Sequence, residues 1–224
     1  MSIIMDGNGR WAVERGKERV YGHLHGVESV RRVTECCIDE GIKYLSLYAF
    51  SEENWGRPQS EVSYLMTLMQ KEISDVCEDF MKNGVKFTVL GDIERLNPAL
   101  RAAISGLEEL TAGNTALNFI VFLSYSGRWD ILQAVNRILS TRDRAAGPVT
   151  AEEFSSCLVT AGIPDPDLII RTSGEERISN YLLWQGAYSE LYFTDVLWPD
   201  FGKEEFRKAL EAYASRDRRF GKVK

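Results

Sequence analysis

MSIIMDGNGRWA, residues 1–12, joins an apolar run to an aspartate and two glycines. Asp6-Gly7 and Asn8-Gly9 are dipeptides that favour hairpin turns, so one interpretation of the stretch is a simple chain reversal. The other interpretation is an anion site, because a strand, a glycine-containing loop and a helix N-terminus together present backbone N–H groups to a ligand. The stretch alone leaves both interpretations open.

The residues that follow this stretch favour the second interpretation. Val27, Val30 and Cys37 recur at helical spacing on one stripe, which ends near Gly41. We therefore predict a strand over Ile3 to Met5, followed by a loop and a helix rather than by the second strand of a hairpin.

The rest of the chain alternates strands with helices. Five further strands are predicted at Lys43 to Phe50, Val85 to Gly91, Leu117 to Ser124, Asp167 to Gly174 and Glu190 to Val196. Helices are predicted at Ser60 to Asn83, Asn97-Pro98 to Thr111, Trp129 to Leu139, after a capping box of Thr150 with Glu153, and at Lys203 to Ala214. This alternation is typical of the α/β class, with a mostly parallel six-stranded sheet and helices on both faces. No linker divides residues 1–224, so we expect a single domain.

Composition and charge exclude several classes of protein. The formal net charge of -6 at pH 7 and a pI near 5.2 argue against a nucleic-acid-binding protein, which would carry a basic excess. The longest apolar run, ALNFIVFL at residues 116–123, is far shorter than the roughly 20 residues that span a bilayer. Asp6 and Arg10 stand where a signal peptide would need an apolar segment.

The four cysteines predict neither a disulfide framework nor a zinc site. They lack C-x-x-C spacing, and the chain has two histidines to accompany them. We expect buried, reduced thiols of a cytoplasmic protein at Cys36, Cys37, Cys77 and Cys157.

Polar residues cluster where the predicted strands end, which is where parallel sheets bind ligands. Asp6 to Arg10 follow the first strand, Ser51 to Arg57 the second, and Arg171 to Ser179 the fifth. Two cationic clusters with Asp6 and Glu190 would suit two diphosphates and Mg²⁺, which takes one or two carboxylates together with phosphate oxygens. The structural alternatives are an ordinary loop anchor for Trp55 and a solvated strand-edge charge for Glu190.

Six segments of the chain resemble the cis-prenyltransferase family, and the resemblance covers essentially the whole sequence. The segments are MDGNGRWA, GHLHG, LYAFSEENWGRP, SGRWDI, DLIIRTSGEERISNYLLWQGAYSELYFTDVLWPDF and RDRRFG. The resemblance implies Mg²⁺-dependent condensation of isopentenyl diphosphate onto an allylic diphosphate such as farnesyl diphosphate, with each new double bond cis. The implied product is a long-chain polyprenyl diphosphate of the undecaprenyl type, for the lipid carriers of cell-wall synthesis.

The resemblance also implies roles for individual residues. Asp6 and Asn54 correspond to catalytic residues, and Asp6 and Glu190 to metal ligands. The implied substrate-binding residues are Gly7, Asn8, Gly9, Arg10, Trp11, Arg19, His23, Ser51, Glu52, Glu53, Trp55, Arg57, Arg171, Arg177, Ile178 and Ser179. Asn54 matches a residue assigned as proton acceptor, but an amide is a weak base, so we expect it to orient the reacting groups while a diphosphate oxygen takes the proton.

A long hydrocarbon product requires an apolar tunnel. The candidate wall residues are Leu45, Leu47, Ala49, Leu65, Met66, Met69 and Val121. Phe122 and Leu123 stand where small residues are common in the family, and they would shorten the product if they point into the tunnel. The resemblance further implies a homodimer in the cytoplasm, with at most peripheral membrane contact for product release.

Three alternatives to a long-chain synthase remain at this point. One is a short- or medium-chain synthase of the same family. Another is a non-catalytic subunit, which would be expected to lack Asp6 or the cluster from Arg171 to Ser179. The third is a Mg²⁺-dependent phosphohydrolase, which would need more clustered carboxylates than Asp6 and Glu190 supply.

Overall fold

Six strands form one sheet, and every neighbouring pair is parallel. The strands of this computed structural model are β1 (Ser2–Ile4), β2 (Tyr44–Ser51), β3 (Val85–Leu90), β4 (Leu117–Tyr125), β5 (Leu168–Arg171) and β6 (Glu190–Phe193). Their order across the sheet is β3-β4-β2-β1-β5-β6. The structure describes residues 1–143 and 147–217. The predicted six-stranded α/β sheet is confirmed.

Eight α-helices of the described residues connect and cover the strands. They are α1 (Asn8–Glu14), α2 (Arg19–Asp39), α3 (Gln59–Asp75), α4 (Cys77–Asn83), α5 (Pro98–Thr111), α6 (Gly127–Thr141), α7 (Ala151–Cys157) and α8 (Lys203–Ala214). Short 3₁₀ helices occupy Glu52–Gly56, Ile93–Arg95 and Trp198–Asp200. The predicted N-caps are present, since the Asn97 side chain accepts a hydrogen bond from the Leu100 amide and Thr150 accepts one from Glu153.

Two helices that the sequence predicts as continuous are each divided. The stretch after Gly9 forms α1 and α2, because Gly16 adopts a left-handed conformation that ends α1. The predicted helix from Ser60 to Asn83 is interrupted at Val76, and α4 continues beyond it. Hydrophobic spacing continues across both interruptions, so the sequence pattern did not reveal them.

Successive residues of a strand point to opposite faces of the sheet and belong to two separate hydrophobic cores. On one face, Ile3 and Ile170 pack with residues of α2, α3, α5 and α8. On the other face, Ile4 and Ile169 pack with a cluster of tyrosines. The Tyr48 and Tyr181 rings stack there with centroids 4.3 Å apart.

Buried hydroxyl groups in the tyrosine core are hydrogen-bonded, which limits the cost of burying them. The Tyr48 hydroxyl donates to the Tyr125 carbonyl at 3.0 Å, and Tyr125 in turn contacts the Asp130 carboxylate at 3.1 Å. Phe122 packs against the Tyr125 and Tyr181 rings of this face. The Phe122 side chain therefore lies on the tyrosine face and not on the face covered by α2, α3, α5 and α8.

The cysteine expectation is confirmed in part. Cys36 and Cys37 are buried free thiols, and burial raises the pKa of the Cys37 thiol to about 12. Cys77 and Cys157 are also free but only half-buried, because each lies at an end of a short helix. No helix among residues 1–143 and 147–217 has the length and apolar character that crossing a membrane requires.

Close contact between α1 and α2 depends on two glycines of the GHLHG segment. A Cβ atom at Gly22 would lie 1.8 Å from the Asn8 carbonyl oxygen, and one at Gly26 would lie 2.3 Å from Asn8 Oδ1. Gly22 and Gly26 are one helical turn apart and share the face of α2 that meets α1. The first turn after β1 is therefore packed directly against the α2 backbone.

We predict that Gly22→Ala destabilises the fold by about 1–3 kcal/mol, the usual cost of overpacking. The new methyl group would meet the Asn8 backbone, which cannot move aside as a flexible side chain could. Gly106→Ala is the matched control, since Gly106 lies inside α5 and a Cβ atom there would meet nothing within 4 Å. That control should be neutral or stabilising by about 0.5–1 kcal/mol. Urea unfolding of both variants tests the prediction, and equal stabilities would contradict it.

Candidate active site

Asp6 lies directly after β1, at the carboxyl edge of the sheet. Its Oδ1 accepts a hydrogen bond from the Gly7 amide at 2.7 Å, and its Oδ2 accepts one from Arg171 Nη2 at 2.8 Å. Arg10 Nη2 lies 3.4 Å from Oδ1. Burial acts to raise the pKa of Asp6, but Arg171, Arg10 and the Gly7 amide more than offset it and hold that pKa below its ordinary value. Asp6 is therefore an ionised carboxylate at neutral pH.

Arg171 organises the turn that follows β5. Its side chain is only 5% exposed, and its Nη1 donates to the Arg177 carbonyl and the Ser179 hydroxyl, both at 2.6 Å. Arg10 reaches the same turn and donates to the Ser173 carbonyl at 3.0 Å. The structure thus brings together Asp6, Arg10, Arg171 and Ser179, as the sequence predicts for the ends of β1 and β5.

Arg177 and Ile178 occupy different positions around this turn. The Arg177 side chain is largely exposed and pairs with Glu175. Ile178 packs at the margin of the tyrosine core. Of the two, only Arg177 presents a charged group near the turn.

Arg19, His23 and Arg57 converge on Glu61, a residue that the sequence analysis missed. The Glu61 side chain is 12% exposed, and its carboxylate lies 3.8 Å from Arg19 Nε, 3.7 Å from His23 Nε2 and 3.1 Å from Arg57 Nη1. The four-residue spacing from Arg57, just before α3, to Glu61 in its first turn is the sequence signal that could have identified it. Glu61 therefore positions three residues that the resemblance implies as substrate-binding. Gly9 lies beside them, since a Cβ atom there would lie 2.6 Å from the Arg19 guanidinium carbon.

His23 is neutral at physiological pH. Burial is the main cause that lowers the pKa of His23, and the Arg57 charge lowers it further. Glu61 acts to raise the pKa, but the result is a pKa of about 4. Its Nε2 is buried and has no hydrogen-bond partner among the described residues. The same is true of Asn8 Oδ1. Such unsatisfied buried groups are costly, so they point to a ligand or water at this position.

The segment after β2 is a rigid 3₁₀ turn rather than an open loop. Ser51 and Asn54 form a reciprocal capping box, in which Asn54 Oδ1 accepts the Ser51 amide at 3.1 Å. The Asn54 amide oxygen is therefore already engaged, while its side chain still lines the cavity described below. This geometry favours an orienting role for Asn54 over proton abstraction.

The neighbours of Asn54 divide into ligand-facing and structural residues. Glu53 accepts a hydrogen bond from Asn180 Nδ2 at 2.8 Å. Glu52 instead accepts from the Ser126 hydroxyl at 2.8 Å, which ties the turn to the start of α6. Trp55 donates to Ser124 Oγ at 3.0 Å and packs edge-on against Phe50. The loop-anchor interpretation of Trp55 is the one that the structure favours.

Trp11 is also placed away from the polar cluster. Its Nε1 donates to Asp200 Oδ1 at 2.7 Å, and the Arg15 guanidinium lies 4.0 Å from its ring centre. The ring also packs against Tyr21 and His25. Trp11 anchors α1 to the Trp198–Asp200 turn.

Glu190 is not brought to Asp6 within one chain. It opens β6 and pairs with Leu168, whereas Phe193 pairs with Arg171 at the other end of the strand. Asp6 lies two residues beyond Ile4, the partner of Arg171, so the backbone positions of Asp6 and Glu190 are separated by about 16 Å along the strand direction, at roughly 3.3 Å per residue. Arg216 donates to Glu190 at 2.8 Å instead. As the sequence predicts, Glu190 begins its strand, so it lies at the opposite end of the strands from Asp6, and its role as a metal ligand stays a prediction.

A cavity of about 1180 Å³ extends from this polar cluster beneath α2 and α3. Its polar end is lined by Asp6, Asn8, His23, Ser51, Glu53, Asn54, Arg57, Arg128, Arg171, Ser179 and Asn180. Arg128 and Asn180 were not singled out from the sequence. Asn180 bonds both Glu53 and the Arg128 amide, which joins two strand ends across the cavity.

Apolar side chains line the body of this cavity. Five predicted wall residues do so, namely Leu47, Ala49, Leu65, Met69 and Val121. Leu45 and Met66 are buried in the core instead and are absent from the lining. Leu123 lines the cavity, whereas Phe122 faces the tyrosine core. Of Phe122 and Leu123, only Leu123 can therefore narrow the cavity and shorten the product.

The residues at the polar end are compatible with Mg²⁺ as a cofactor. No group of three or more His, Cys, Asp or Glu side chains suited to a metal occurs in residues 1–143 and 147–217. Mg²⁺ does not require one, because it retains waters and typically takes one or two carboxylates with substrate phosphate oxygens. The ionised and partly exposed Asp6 carboxylate meets that requirement.

Comparison with known proteins finds relatives over nearly the full chain. Residues 4–221 match the family model described as "Putative undecaprenyl diphosphate synthase". The sequence is 50% identical to an isoprenyl transferase of Fusobacterium nucleatum, over 100% of this chain and 96% of that protein. It is 47% identical to a ditrans,polycis-undecaprenyl-diphosphate synthase, (2E,6E)-farnesyl-diphosphate specific, of Coxiella burnetii, over 99% of this chain and 94% of that protein.

A solved structure has the same fold throughout. The crystal structure of lavandulyl diphosphate synthase from Lavandula x intermedia, in complex with dimethylallyl diphosphate, superposes with a TM-score of 0.95 at 36% sequence identity. The match covers 99% of this chain and 97% of that chain. Of the quoted sequence segments, RDRRFG lies largely outside the described residues.

We predict that His23 contributes to loss of stability in acid. Between its folded pKa of about 4 and its ordinary value of 6.5, the unfolded chain binds a proton that the folded chain does not. This stability is present above the unfolded value and is lost as the pH falls, by about 2 kcal/mol between about pH 7 and pH 5. Urea unfolding of the parent and of His23→Gln measures the difference. Parallel losses of stability in the two proteins would contradict the prediction.

Proposed function

The chain belongs to the undecaprenyl diphosphate synthase family of prenyltransferases, and from that premise we propose that it extends farnesyl diphosphate with isopentenyl diphosphate units. The proposed product is a long-chain cis-polyprenyl diphosphate, with undecaprenyl diphosphate as the specific candidate. The observation that carries this proposal is one continuous cavity, whose cationic end suits diphosphates and whose apolar body suits a hydrocarbon.

The proposed allylic diphosphate site is the cluster around Glu61. Arg19, His23 and Arg57 are held close together there, and Gly9 leaves space beside the Arg19 guanidinium. In the absence of a diphosphate, the negative charge of Glu61 offsets part of the positive charge of Arg19 and Arg57. We propose that phosphate oxygens bind the Arg19 and His23 side chains. Both side chains lie within about 4 Å of the Glu61 carboxylate, and a diphosphate can replace that carboxylate as their anionic partner.

The proposed isopentenyl diphosphate site is the turn after β5. Arg171 holds the Ser179 hydroxyl and the Arg177 backbone in place, and the exposed Arg177 side chain adds a second cation. Because β1 is hydrogen-bonded to both β2 and β5, this turn lies on the opposite side of Asp6 from the Asn54 turn. Fixing both diphosphates brings the reacting carbons together, which is a positioning contribution to the rate.

Asp6 is the proposed Mg²⁺ ligand, with substrate phosphate oxygens completing the coordination. When bound, the ion supplies charge neutralisation to the diphosphate that departs from the allylic carbon. The protein contributes further positive charge at the same place, since Arg10 and Arg171 both lie beside the Asp6 carboxylate. Donors aimed at the developing charge are worth more in a partly buried site than in water.

Loss of a proton completes each condensation. Asn54 Oδ1 is occupied by the Ser51 amide, so the Asn54 side chain has its Nδ2 group available to donate rather than a free oxygen to accept. We propose that Asn54 orients a diphosphate oxygen, and that this oxygen takes the proton.

The cavity body is the proposed tunnel for the growing chain. Leu47, Ala49 and Val121 form part of its floor, and Leu65 and Met69 part of its roof. Leu123 at the floor is the specific observation that favours the second candidate, a short- or medium-chain synthase, since a larger side chain there leaves less room for hydrocarbon. A non-catalytic subunit is disfavoured, because Asp6, Arg171 and Ser179 are present and assembled.

Assembly and location follow from the same proposal. We propose a homodimer in the cytoplasm that supplies lipid carriers for peptidoglycan, with peripheral membrane contact for product release. Glu190 remains a proposed metal-binding residue. It would bind an ion separately from Asp6 of the same chain, because the two residues lie at opposite ends of the parallel strands.

We predict that the purified protein extends farnesyl diphosphate with labelled isopentenyl diphosphate when Mg²⁺ is present. Chelation of the ion should abolish extension and renewed Mg²⁺ should restore it, because the ion would neutralise the charge of the departing diphosphate, which the anionic Asp6 carboxylate cannot do. Chromatography of the extracted products gives their length. No extension would overturn the proposed activity, whereas one short product would overturn only the undecaprenyl assignment.

We predict that Asp6→Asn still folds, at lower stability because the buried Arg171 guanidinium loses its ionised partner, and that it loses at least about 100-fold in kcat, the scale seen when one charge-stabilising group is removed. The substitution preserves shape and the Gly7 hydrogen bond but removes the charge that would bind the ion. Asp75→Asn is the control, because Asp75 is an exposed residue of α3 that pairs with Lys71. Steady-state kinetics and urea unfolding measure the two effects. Near-parent turnover of Asp6→Asn would remove Asp6 from the proposed metal site.

A further inference from the structure

Asn180 connects the turn after β5 to two other segments at the polar end of the cavity. Its Nδ2 donates to Glu53 Oε1 at 2.8 Å, and its Oδ1 accepts a hydrogen bond from the Arg128 amide at 3.0 Å. Its carbonyl accepts another from the Gly127 amide at 2.6 Å. The segments that follow β2, β4 and β5 are therefore joined through one residue.

The backbone of Asn180 is held in place by its neighbours in the chain. Tyr181 is fully buried, and its ring stacks on that of Tyr48 with centroids 4.3 Å apart. On the other side, the Ser179 hydroxyl accepts a hydrogen bond from Arg171 Nη1 at 2.6 Å. The position of the Asn180 backbone therefore does not depend on its own side chain.

The backbone conformation of Asn180 suits an asparagine. Its φ is 61°, in the left-handed region, and the φ of Ser179 is 47°. Asparagine and glycine adopt this conformation more readily than other residues do. In this conformation the Asn180 side chain lines the cavity and meets Glu53. Glycine is therefore the substitution that removes the side chain and keeps the backbone.

Glu53 is the ionised partner in this connection. Burial acts to raise the pKa of Glu53, but its hydrogen bonds, that from Asn180 foremost, hold the pKa below its ordinary value. Hydrogen bonds to a charged acceptor are stronger than those between neutral groups. Glu53 directly precedes Asn54 in the Asn54 turn (Glu52–Gly56), so the Asn180 bond acts on the turn that presents Asn54 to the cavity.

The Asn54 turn has separate anchors toward β4 and toward β5. Glu52 and Trp55 bond to Ser126 and Ser124, at the end of β4. Within residues 1–143 and 147–217, the bond to Glu53 is the one side-chain hydrogen bond between the Asn54 turn and the turn after β5. The placement of these two turns relative to each other therefore depends on it.

We infer that Asn180 is a positioning residue that holds the Asn54 turn in a fixed place relative to the turn after β5, an inference that rests on the proposed function. The turn after β5 is the proposed isopentenyl diphosphate site, and Asn54 is proposed to orient the oxygen that takes the proton. That proton leaves the isopentenyl unit once the new carbon–carbon bond has formed. The two turns must therefore keep one relative position, because a misplacement of about 1 Å can cost roughly 100-fold in rate.

The Asn180 side chain can be changed with little effect on the fold. Asn180 is half-buried and Glu53 is exposed, and substitutions at such positions usually change stability little. The backbone bond from Gly127 and the buried Tyr181 ring remain in every Asn180 variant. Neither side-chain bond of Asn180 reaches the Glu61 cluster, the proposed allylic diphosphate site. Effects on turnover should therefore be separable from effects on stability and on farnesyl diphosphate binding.

The first test is Asn180→Gly, assayed with farnesyl diphosphate, isopentenyl diphosphate and Mg²⁺. Because both side-chain bonds are lost, kcat should fall at least about 10-fold, while the KM for farnesyl diphosphate stays within about twofold of the parent value. Asn118→Asp is the matched control, since Asn118 Nδ2 donates to the Lys43 carbonyl at the amino ends of β4 and β2. It should leave kcat and both KM values unchanged.

The second test exchanges the two bonded groups. Asn180→Asp removes the donor and places a carboxylate against Glu53, so kcat should fall at least as far as in Asn180→Gly. Adding Glu53→Gln to Asn180→Asp restores one donor, one acceptor and the charge of the parent. The double variant should have the kcat of Glu53→Gln alone, because the exchanged pair again joins the two turns.

Parent-like kcat in Asn180→Gly would overturn the positioning role and leave the proposed function intact. Additive losses of kcat in the double variant would do the same, as would a loss that urea unfolding traces to unfolded protein. No extension by the parent chain would overturn the proposed function, and the positioning role with it.

Discussion

The hydrogen bond from Arg171 to Asp6 is the interaction on which the arrangement of the site depends. It joins the end of β5 to the loop after β1, and it pairs a buried guanidinium with a carboxylate. The same guanidinium holds the Arg177 carbonyl and the Ser179 hydroxyl. Removing one partner of a buried pair leaves an uncompensated charge, so the loop and the turn stay together as a unit.

The order of the strands gives this bond its place in the molecule. β1 lies between β2 and β5, so the segments that follow all three strands meet at one edge of the sheet. One face of the sheet is filled by stacked tyrosines, while the other retains a cavity beneath α2 and α3. The cavity joins a charged end to an apolar body, as is required by a prenyl-transferring enzyme that handles diphosphates and hydrocarbon together. The cavity lining also includes an ion pair between Arg31 of α2 and Glu72 of α3.

Much of this arrangement could be predicted from local patterns. The predicted bounds of α8 are those observed, and the Asn97 cap is present, because helix ends depend on nearby side chains. The grouping of Asp6 with Arg171 followed from the rule that parallel strands end together. The rule does not group Glu190 with them, because Glu190 begins its strand, as predicted, and so lies at the opposite edge. Trp55 shows a similar limit, since only its bond to Ser124 identifies it as an anchor.

The sequence by itself determined the α/β class, the strand ends that carry charge and the family resemblance, because these depend on spacing and on residue type along the chain. Tertiary structure alone decided that Leu123 faces the cavity while Phe122 faces the tyrosine core. It also decided that Glu61 gathers Arg19, Arg57 and the neutral His23, and that Glu72 of α3 pairs with Arg31 of α2. Contacts between side chains distant in sequence depend on how the helices pack on the sheet, and hydrophobic periodicity does not specify that packing.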